Sequence, residues 1–205
     1  MKIITISREF GSGGRELGKR LADILGFDYY DREIITAIAE KKGLDENYVE
    51  NALENHLWQT VPLTYHHSFA TPILVHTPPT ELIAEQTSIL ERIAKSGKDC
   101  IIVGRNADFL LRKQKPLNLF VCAEMEEKIK RCMDRAEDEH LTYKQIKQKI
   151  KRIDRNRAKT RNIISGSKWG HRATYHLIVN TTDWSIKELA PAIAEYANRF
   201  FEKNK

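Results

Sequence analysis

"SREFGSGGRELGKRLADILG" (7–26) joins a short apolar run to an amphipathic segment through a glycine-rich loop. The run before it, "KIITIS" (2–7), has the β-branched residues of a buried strand. Gly26 stands where a helix commonly ends. The apolar residues between loop and Gly26 recur at helical spacing, namely Leu17, Leu21, Ile24 and Leu25. A strand, a glycine loop and a helix amino terminus form an anion site, because backbone N–H groups and the helix dipole attract phosphate.

The loop matches neither of the two common phosphate-binding patterns. The pattern G-x-G-x-x-G needs a glycine at position 16, which is Glu16. The pattern G-x-x-x-x-G-K-[ST] needs a glycine where Arg8 stands and a lysine where Gly14 stands. The loop by itself therefore leaves two readings open, a phosphate site and a plain structural turn.

Strands and helices alternate along most of the remaining chain. Near-continuous apolar runs are typical of strands covered on both faces, and the predicted strands after the first are 27–31, 100–104, 117–123 and 175–182. Helical periodicity predicts helices over about 17–25, 33–42, 81–95, 124–135, 142–157 and 185–201. Pro191 is expected to kink the last helix or delay its regular part. This alternation predicts an α/β fold with a parallel sheet between layers of helices.

Residues 44–80 are less regular and read as an insertion or a small subdomain. They hold His56, His66, His67 and His76. A metal site is disfavoured here, because no third ligand stands at a diagnostic spacing from the adjacent pair.

Composition places the chain among soluble, cytoplasmic proteins. Of 205 residues, 41% are hydrophobic and 30% are charged, and no apolar run is long enough to span a bilayer. The amino terminus lacks the apolar core of a signal peptide. Three cysteines without metal-like spacing are expected to be reduced thiols.

The positive charge is concentrated in one segment. The segment from Lys144 to Arg161 contains nine basic residues and one acidic residue, which gives it a net charge of +8. The whole chain has a net charge of +6, so the rest of the chain has a net charge of −2. A non-specific nucleic-acid binder spreads its cations over a long face, so this distribution disfavours nucleic acid as a partner. A local cluster favours a clamp on a small polyanion.

Four segments, in the same order, resemble the cytidylate kinase-like family of P-loop kinases. They are "ISREFGSGGRE" (6–16), the stretch 100–135 that contains "VGRN", "DRNRA" (154–158) and "VNTTDWSIKEL" (179–189). The resemblance implies a P-loop NTPase-type three-layer fold with a five-stranded parallel sheet. It also implies one kinase-like domain over 1–205, with a core at 1–30, 81–142 and 164–205, an NMP-binding insertion at about 31–80 and a lid at about 143–163.

The implied activity is ATP-dependent phosphorylation, with Mg²⁺, of a nucleoside monophosphate or a related small phosphate acceptor. Such transfer needs two polyanions held in line and cations that compensate the moving charge. The candidate catalytic cations are Arg15 or Lys19, in place of the missing lysine, and the lid residues Arg155, Arg157 and Arg161.

The remaining candidate residues fall into three sets. Those for ATP and its phosphates are Gly11, Ser12, Gly13, Gly14, Arg15, Glu16, Arg131, Arg135 and Thr181. Those for the acceptor are Asp31, Arg32, Arg92, Arg105 and Asn106. Glu16 is also a candidate Mg²⁺ ligand through its carboxylate. A second hypothesis is a catalytically weak nucleotide-binding protein in which lid closure acts as a switch. The sequence leaves the acceptor and the oligomeric state undetermined.

Overall fold

A computed structural model describes residues 1–55, 79–135 and 141–204, and in these residues five strands form one parallel sheet. The order across the sheet is β2-β3-β1-β4-β5, with every neighbouring pair parallel. The strands are β1 (Ile3–Arg8), β2 (Asp28–Tyr30), β3 (Cys100–Val103), β4 (Leu117–Cys122) and β5 (Leu177–Asn180). The predicted α/β class and the five-stranded parallel sheet are confirmed.

Helices connect the strands and cover the sheet. They are α1 (Gly14–Leu25), α2 (Glu33–Lys42), α3 (Glu46–Asn55), α4 (Pro79–Lys95), α5 (Ala107–Leu110), α6 (Met125–Arg135), α7 (Tyr143–Ser165) and α8 (Ile186–Lys203). Short 3₁₀ turns lie at Arg112–Gln114 and Arg172–Thr174. Among the described residues, no helix is long and apolar enough to cross a membrane.

The central strands are buried because helices pack on both of their faces. Side chains of β1, β3 and β4 contribute to a core beneath α1 and α8, while Ile3 and Cys100 belong to a second core beneath α2, α3 and α4. A third, smaller cluster joins α6 to α7 through Ile129, Ile146 and Ile150. Burial on both sides explains why these strands have nearly unbroken apolar sequences.

Several boundaries differ from the predicted ones for local reasons. Helix α7 continues to Ser165, eight residues past the predicted end, because no helix-breaking residue precedes Gly166, which has φ +64°. Strand β5 is shorter than predicted at both ends. Helix α8 begins at Ile186, before Pro191, so the predicted delay of its regular part is wrong.

The region predicted to be irregular contains a helix in its described part. Helix α3 (Glu46–Asn55) packs against the core through Val49, Ala52 and Leu53, which are almost completely buried. The four histidines of this region, His56, His66, His67 and His76, lie outside the described residues.

Candidate active site

The glycine loop lies at the carboxyl edge of the sheet, where parallel α/β sheets commonly bind ligands. Strand β1 ends at Arg8 and helix α1 begins at Gly14. Gly11 and Gly13 have φ angles of +80° and +82°, a conformation that glycine adopts without steric cost. The backbone N–H groups of residues 14–16 lie in the first turn of α1, where a helix offers them no acceptor. This end of the helix therefore attracts an anion.

Buried hydrogen bonds hold the loop in shape. The hydroxyl of Ser12 donates to the carbonyl of Glu9 at 2.9 Å. The carbonyl of Ser12 accepts from the hydroxyl of Thr181 at 2.7 Å and from Nη1 of Arg131 at 3.2 Å. Ser12 and Thr181 are completely buried, so their hydroxyls are placed to support the loop rather than to meet a nucleotide.

Arg131, predicted to contact ATP, has its guanidinium engaged by the protein. Nη2 donates to the carbonyls of Thr181 at 2.7 Å and of Trp184 at 3.1 Å, and Nη1 donates to the Thr181 hydroxyl at 2.7 Å. Glu127 adds an ion pair at 3.1 Å. The geometry fits a support for the loop and for the turn after β5, although one edge of the side chain lines a cavity.

A buried ammonium group that the sequence analysis missed lies behind the loop. Nζ of Lys128 is 2.8 Å from Glu9 and 3.3 Å from Asp154. Burial lowers the pKa of Lys128, but the hydrogen bonds and charges of these carboxylates outweigh it and raise the pKa above its usual value. Asp154 also accepts the N–H of Phe10 at 2.7 Å. Helix α7 is thereby joined directly to the loop.

A cavity of about 470 Å³ opens in front of the glycine loop. The loop itself forms one wall, and side chains of α6 and α7 form the others. Its lining includes Arg8, Glu9, Phe10, Gly11, Gly13, Gly14, Arg15, Arg131, Arg135, Lys149 and Arg157. The predicted phosphate-binding glycines are thus brought together with several cations at one cavity.

A second, smaller cavity of about 60 Å³ lies beside the first. Its lining includes Ser7, Arg8, Leu53, Ile83, Gln86, Gly104, Arg105, Asn106, Arg157, Thr160 and Trp169. Arg8 and Arg157 line both cavities. Nη1 of Arg157 donates to the carbonyl of Arg8 at 3.1 Å, so the two residues are linked at the junction of the cavities.

The three predicted lid arginines lie in different surroundings. Arg157 faces the cavities, as described. Arg161 is buried, and its Nη1 lies 2.7 Å and 2.6 Å from the two carboxylate oxygens of Asp108. Arg155 is exposed and lines neither cavity, because it follows Asp154 by one residue and is rotated about 100° from it. Of these three predicted catalytic residues, only Arg157 is placed beside a substrate-sized space.

Asp31, predicted to bind the acceptor, instead holds two arginines. Its Oδ1 lies 3.4 Å from Nη2 of Arg8, and its Oδ2 pairs with Nε of Arg15. The Asp31 carboxylate is buried, whereas the Arg15 side chain is 55% exposed. Lys19 is exposed and lines an open depression of about 400 Å³ together with Arg15, Asp31 and Arg32.

The other predicted acceptor residues are divided between the two ends of the sheet. Arg105 and Asn106 line the small cavity with φ angles of +59° and +52°, and Gln86 donates to the Arg105 carbonyl at 3.0 Å. Arg32 is exposed and pairs with Glu50 at 3.3 Å. Arg92 lies near the end of α4, which leads into the amino end of β3, so it is at the edge opposite the site.

The carboxylate of Glu16, the predicted Mg²⁺ ligand, contacts two guanidinium groups. Its Oε1 accepts from Nε of Arg20 at 3.0 Å, and its Oε2 accepts from Nη2 of Arg135 at 2.7 Å. Each oxygen thus accepts one guanidinium N–H, and the role of Glu16 as a Mg²⁺ ligand stays a prediction. Over residues 1–55, 79–135 and 141–204, no group of three or more His, Cys, Asp or Glu side chains is arranged to hold a metal ion.

The site residues that were missed include Arg8, Lys128, Gln86 and Lys149. Arg8 carried a usable signal, because the last residue of a buried parallel strand reaches the ligand-binding edge. Lys128 and Gln86 carried none, since their partners Glu9 and Arg105 are distant along the chain.

Several solved structures have the same fold as this chain. An uncharacterized protein from Eubacterium ventriosum superposes with a TM-score of 0.70 at 22% identity, over 97% of this chain and 99% of the other. Shikimate kinase from Bacteroides thetaiotaomicron superposes with a TM-score of 0.59 at 12% identity, over 96% of this chain and 98% of the other. Shikimate kinase from Acinetobacter baumannii superposes with a TM-score of 0.55 at 16% identity, over 100% of this chain and 95% of the other. These likenesses establish a P-loop kinase fold.

Sequence comparison identifies the family. No curated protein matches this chain significantly. The sequence profile of the cytidylate kinase-like family matches residues 3–183, which includes the glycine loop, both cavities and helix α7. The chain therefore belongs to the cytidylate kinase-like family.

Proposed function

We propose that the protein transfers the γ-phosphoryl group of ATP to a nucleoside monophosphate or a related small phosphorylated acceptor. The family and the fold support ATP-dependent phosphoryl transfer to a small substrate. The observation that carries the proposal is the pair of adjoining cavities that share Arg8 and Arg157. Two anionic substrates in these cavities would meet at two guanidinium groups.

The larger cavity suits the triphosphate. It combines the amino terminus of α1 with the cations Arg15, Arg135 and Lys149. Such a site holds phosphate oxygens through backbone N–H groups and distributed positive charge. Phe10 is not part of this set, since its N–H already donates to Asp154.

The smaller cavity suits the acceptor's anionic group. Arg105 is buried there, and Nη2 lies 3.8 Å from Glu50 on α3. Helix α3 also contributes Leu53, and α4 contributes Ile83 and Gln86. The predicted NMP-binding insertion therefore provides part of the wall, which supports its assignment to the acceptor.

The chemical step requires little of the protein beyond position and charge. An acceptor oxygen bonds to the γ-phosphorus while the bond from that phosphorus to the bridging oxygen breaks, and ADP leaves with the electron pair. A phosphate acceptor is already anionic, so no protein base is needed. Arg8 and Arg157 would stabilise the charge that develops between the two substrates.

An assay of ADP formation across a panel of acceptors tests the proposal. The panel contains nucleoside monophosphates, phosphorylated sugars and unphosphorylated hydroxyl compounds, each with and without Mg²⁺. Turnover that requires a phosphorylated acceptor supports the proposal, and turnover confined to unphosphorylated acceptors overturns its substrate class.

The alternative is a nucleotide-binding switch with little catalysis. Its supporting observation is the direct joint between the loop and α7, formed by Phe10, Asp154 and Lys128. Calorimetric ATP binding, combined with no ADP formation for any acceptor, would favour the switch over the kinase.

A further inference from the structure

We infer that Arg8 supplies the positive charge that the missing lysine supplies in a standard phosphate loop. This inference rests on the proposed function and names the residue that contacts the transferring phosphate. Arg8 is the last residue of β1, and its side chain is only 10% exposed. It lines the junction of both cavities, which is where a γ-phosphate would lie during transfer.

Packing around Gly14 explains why the lysine is missing. A Cβ atom built on Gly14 would lie 2.6 Å from Cβ of Arg8 and 3.1 Å from its Cγ. Val121 would be 3.3 Å away on another side. The first atoms of the Arg8 side chain thus fill the space that any side chain at position 14 would need. A cation at position 8 and a cation at position 14 exclude each other.

Gly104 gives the Arg8 guanidinium its path to the small cavity. A Cβ atom built on Gly104 would lie 2.9 Å from Cζ of Arg8 and would overlap with Nη1. The φ angle of Gly104 is +78°, which also favours glycine. The glycine directly after β3 therefore accommodates an arginine from the neighbouring strand β1.

Asp31 and Arg157 orient Arg8 from two sides. Asp31 holds Nη2 of Arg8 at 3.4 Å, and Arg157 donates to its backbone carbonyl at 3.1 Å. A guanidinium carries five N–H donors in a planar fork, so it can contact protein acceptors and phosphate oxygens at the same time. Asp31 is accordingly a positioning residue for Arg8.

The two candidates from the sequence are placed less well. Arg15 is 55% exposed and lines the larger cavity but not the smaller one. Lys19 lines neither cavity. Arg15 is placed to contact the nucleotide, whereas Arg8 is placed between nucleotide and acceptor.

The test compares Arg8→Gln with Arg15→Gln in the full chain. Turnover is measured with the best acceptor, and affinities for ATP and ADP are measured by calorimetry. Arg8→Gln should lower kcat by about 10³-fold and abolish the preference for ATP over ADP. Arg15→Gln should retain that preference and lose less kcat. A normal ATP preference in Arg8→Gln, or a larger loss in Arg15→Gln, overturns the inference.

A second pair of variants displaces Arg8 without removing it. Gly104→Ala should push the guanidinium aside and reproduce the kinetic loss of Arg8→Gln. Gly97→Ala is the matched control, because Gly97 has the same φ of +78° but no atom of the described residues lies within 4 Å of the added methyl group. Similar thermal unfolding of both alanine variants, with activity lost only in Gly104→Ala, supports the inference. Equal activity in the two variants contradicts it.

The readouts also separate this inference from the proposed function. If the wild-type protein phosphorylates no acceptor, the proposed function fails, and the ATP and ADP affinities of Arg8→Gln still test the phosphate contact. If the wild-type protein phosphorylates an acceptor and Arg8→Gln keeps the wild-type kcat, the inference fails while the proposed function stands.

Discussion

Arg131 and Arg161 differ from Arg8 and Arg157 in what their guanidinium groups contact. The first two are surrounded by protein acceptors, with Thr181, Trp184 and Ser12 around Arg131 and Asp108 with Ser167 around Arg161. Arg8 and Arg157 line both cavities, whereas Arg131 lines only the larger one and Arg161 lines neither. The difference teaches that burial and acceptors decide whether an arginine supports the fold or faces a substrate.

Arg161→Met should have the largest effect on stability. Removing the guanidinium leaves the Asp108 carboxylate buried without its ion pair, and we expect a loss of about 3–5 kcal/mol in the free energy of unfolding. Urea denaturation measures this loss. The double variant Arg161→Met/Asp108→Leu should recover most of it, because no buried charge remains. A loss no larger than that of Arg199→Met, in an exposed pair with Glu195, would contradict the comparison.

Arg157→Gln should lower kcat and leave the free energy of unfolding unchanged. The kcat loss, expressed as a free energy, should be similar to the stability loss of Arg161→Met. Loss of a transition-state cation lowers kcat by about 10³-fold, which is about 4 kcal/mol. Steady-state kinetics and thermal unfolding measure the two quantities separately. Arg152→Gln is the control, since Arg152 lies on the same helix, is exposed and lines neither cavity. A large stability loss in Arg157→Gln would place Arg157 with the supporting arginines.

Arg131→Met should have an intermediate effect. It removes the donors to the carbonyls of Ser12, Thr181 and Trp184, and leaving buried acceptors unsatisfied costs about 1–3 kcal/mol. Urea denaturation should record this loss together with weaker ATP binding, because the loop loses one of its supports. Unchanged stability with reduced kcat would move Arg131 to the substrate-facing group.

The smallest expected effect is a change in how the free energy of unfolding depends on pH in Lys128→Met. The carboxylates of Glu9 and Asp154 raise the pKa of Lys128 above its usual 10.5, despite burial. Lys128 therefore contributes stability below that pH and loses it as pH rises through the pKa of the folded state. Denaturation at about pH 9 and about pH 11 should show a steeper loss in wild type than in Lys128→Met. Equal slopes would show that the ion pairs of Lys128 contribute nothing.

Local patterns in the sequence predicted much of the fold. The start of α2 at Glu33 and the end of α1 at Gly26 follow from helical spacing and from glycine after the last turn. The buried strands follow from their apolar runs. Helix α3 escaped prediction because only Val49, Ala52 and Leu53 supply a short apolar stripe, which becomes recognisable when it packs on α4.

The candidate site was less predictable because it depends on distant pairs. The predicted loop glycines, Arg105 and Arg157 line the cavities. The pairing of Arg161 with Asp108 spans 53 residues, and local sequence gives no sign of it. Arg92 could have been set aside from topology alone, since a helix that leads into a parallel strand ends at the edge opposite the ligand.

The contact between positions 8 and 14 also limits how such loops can diverge. Starting from this chain, Gly14→Lys alone places two side chains in one volume, and Arg8→Gly alone removes a cation without supplying another. Either single substitution would thus produce a less fit intermediate. The pair of substitutions supplies the first glycine and the lysine of the conventional motif, with Arg15 still in place of its Ser or Thr. One kind of loop can evolve into the other only if positions 8 and 14 change together. An ancestral reconstruction should therefore find both positions altered on the same branch.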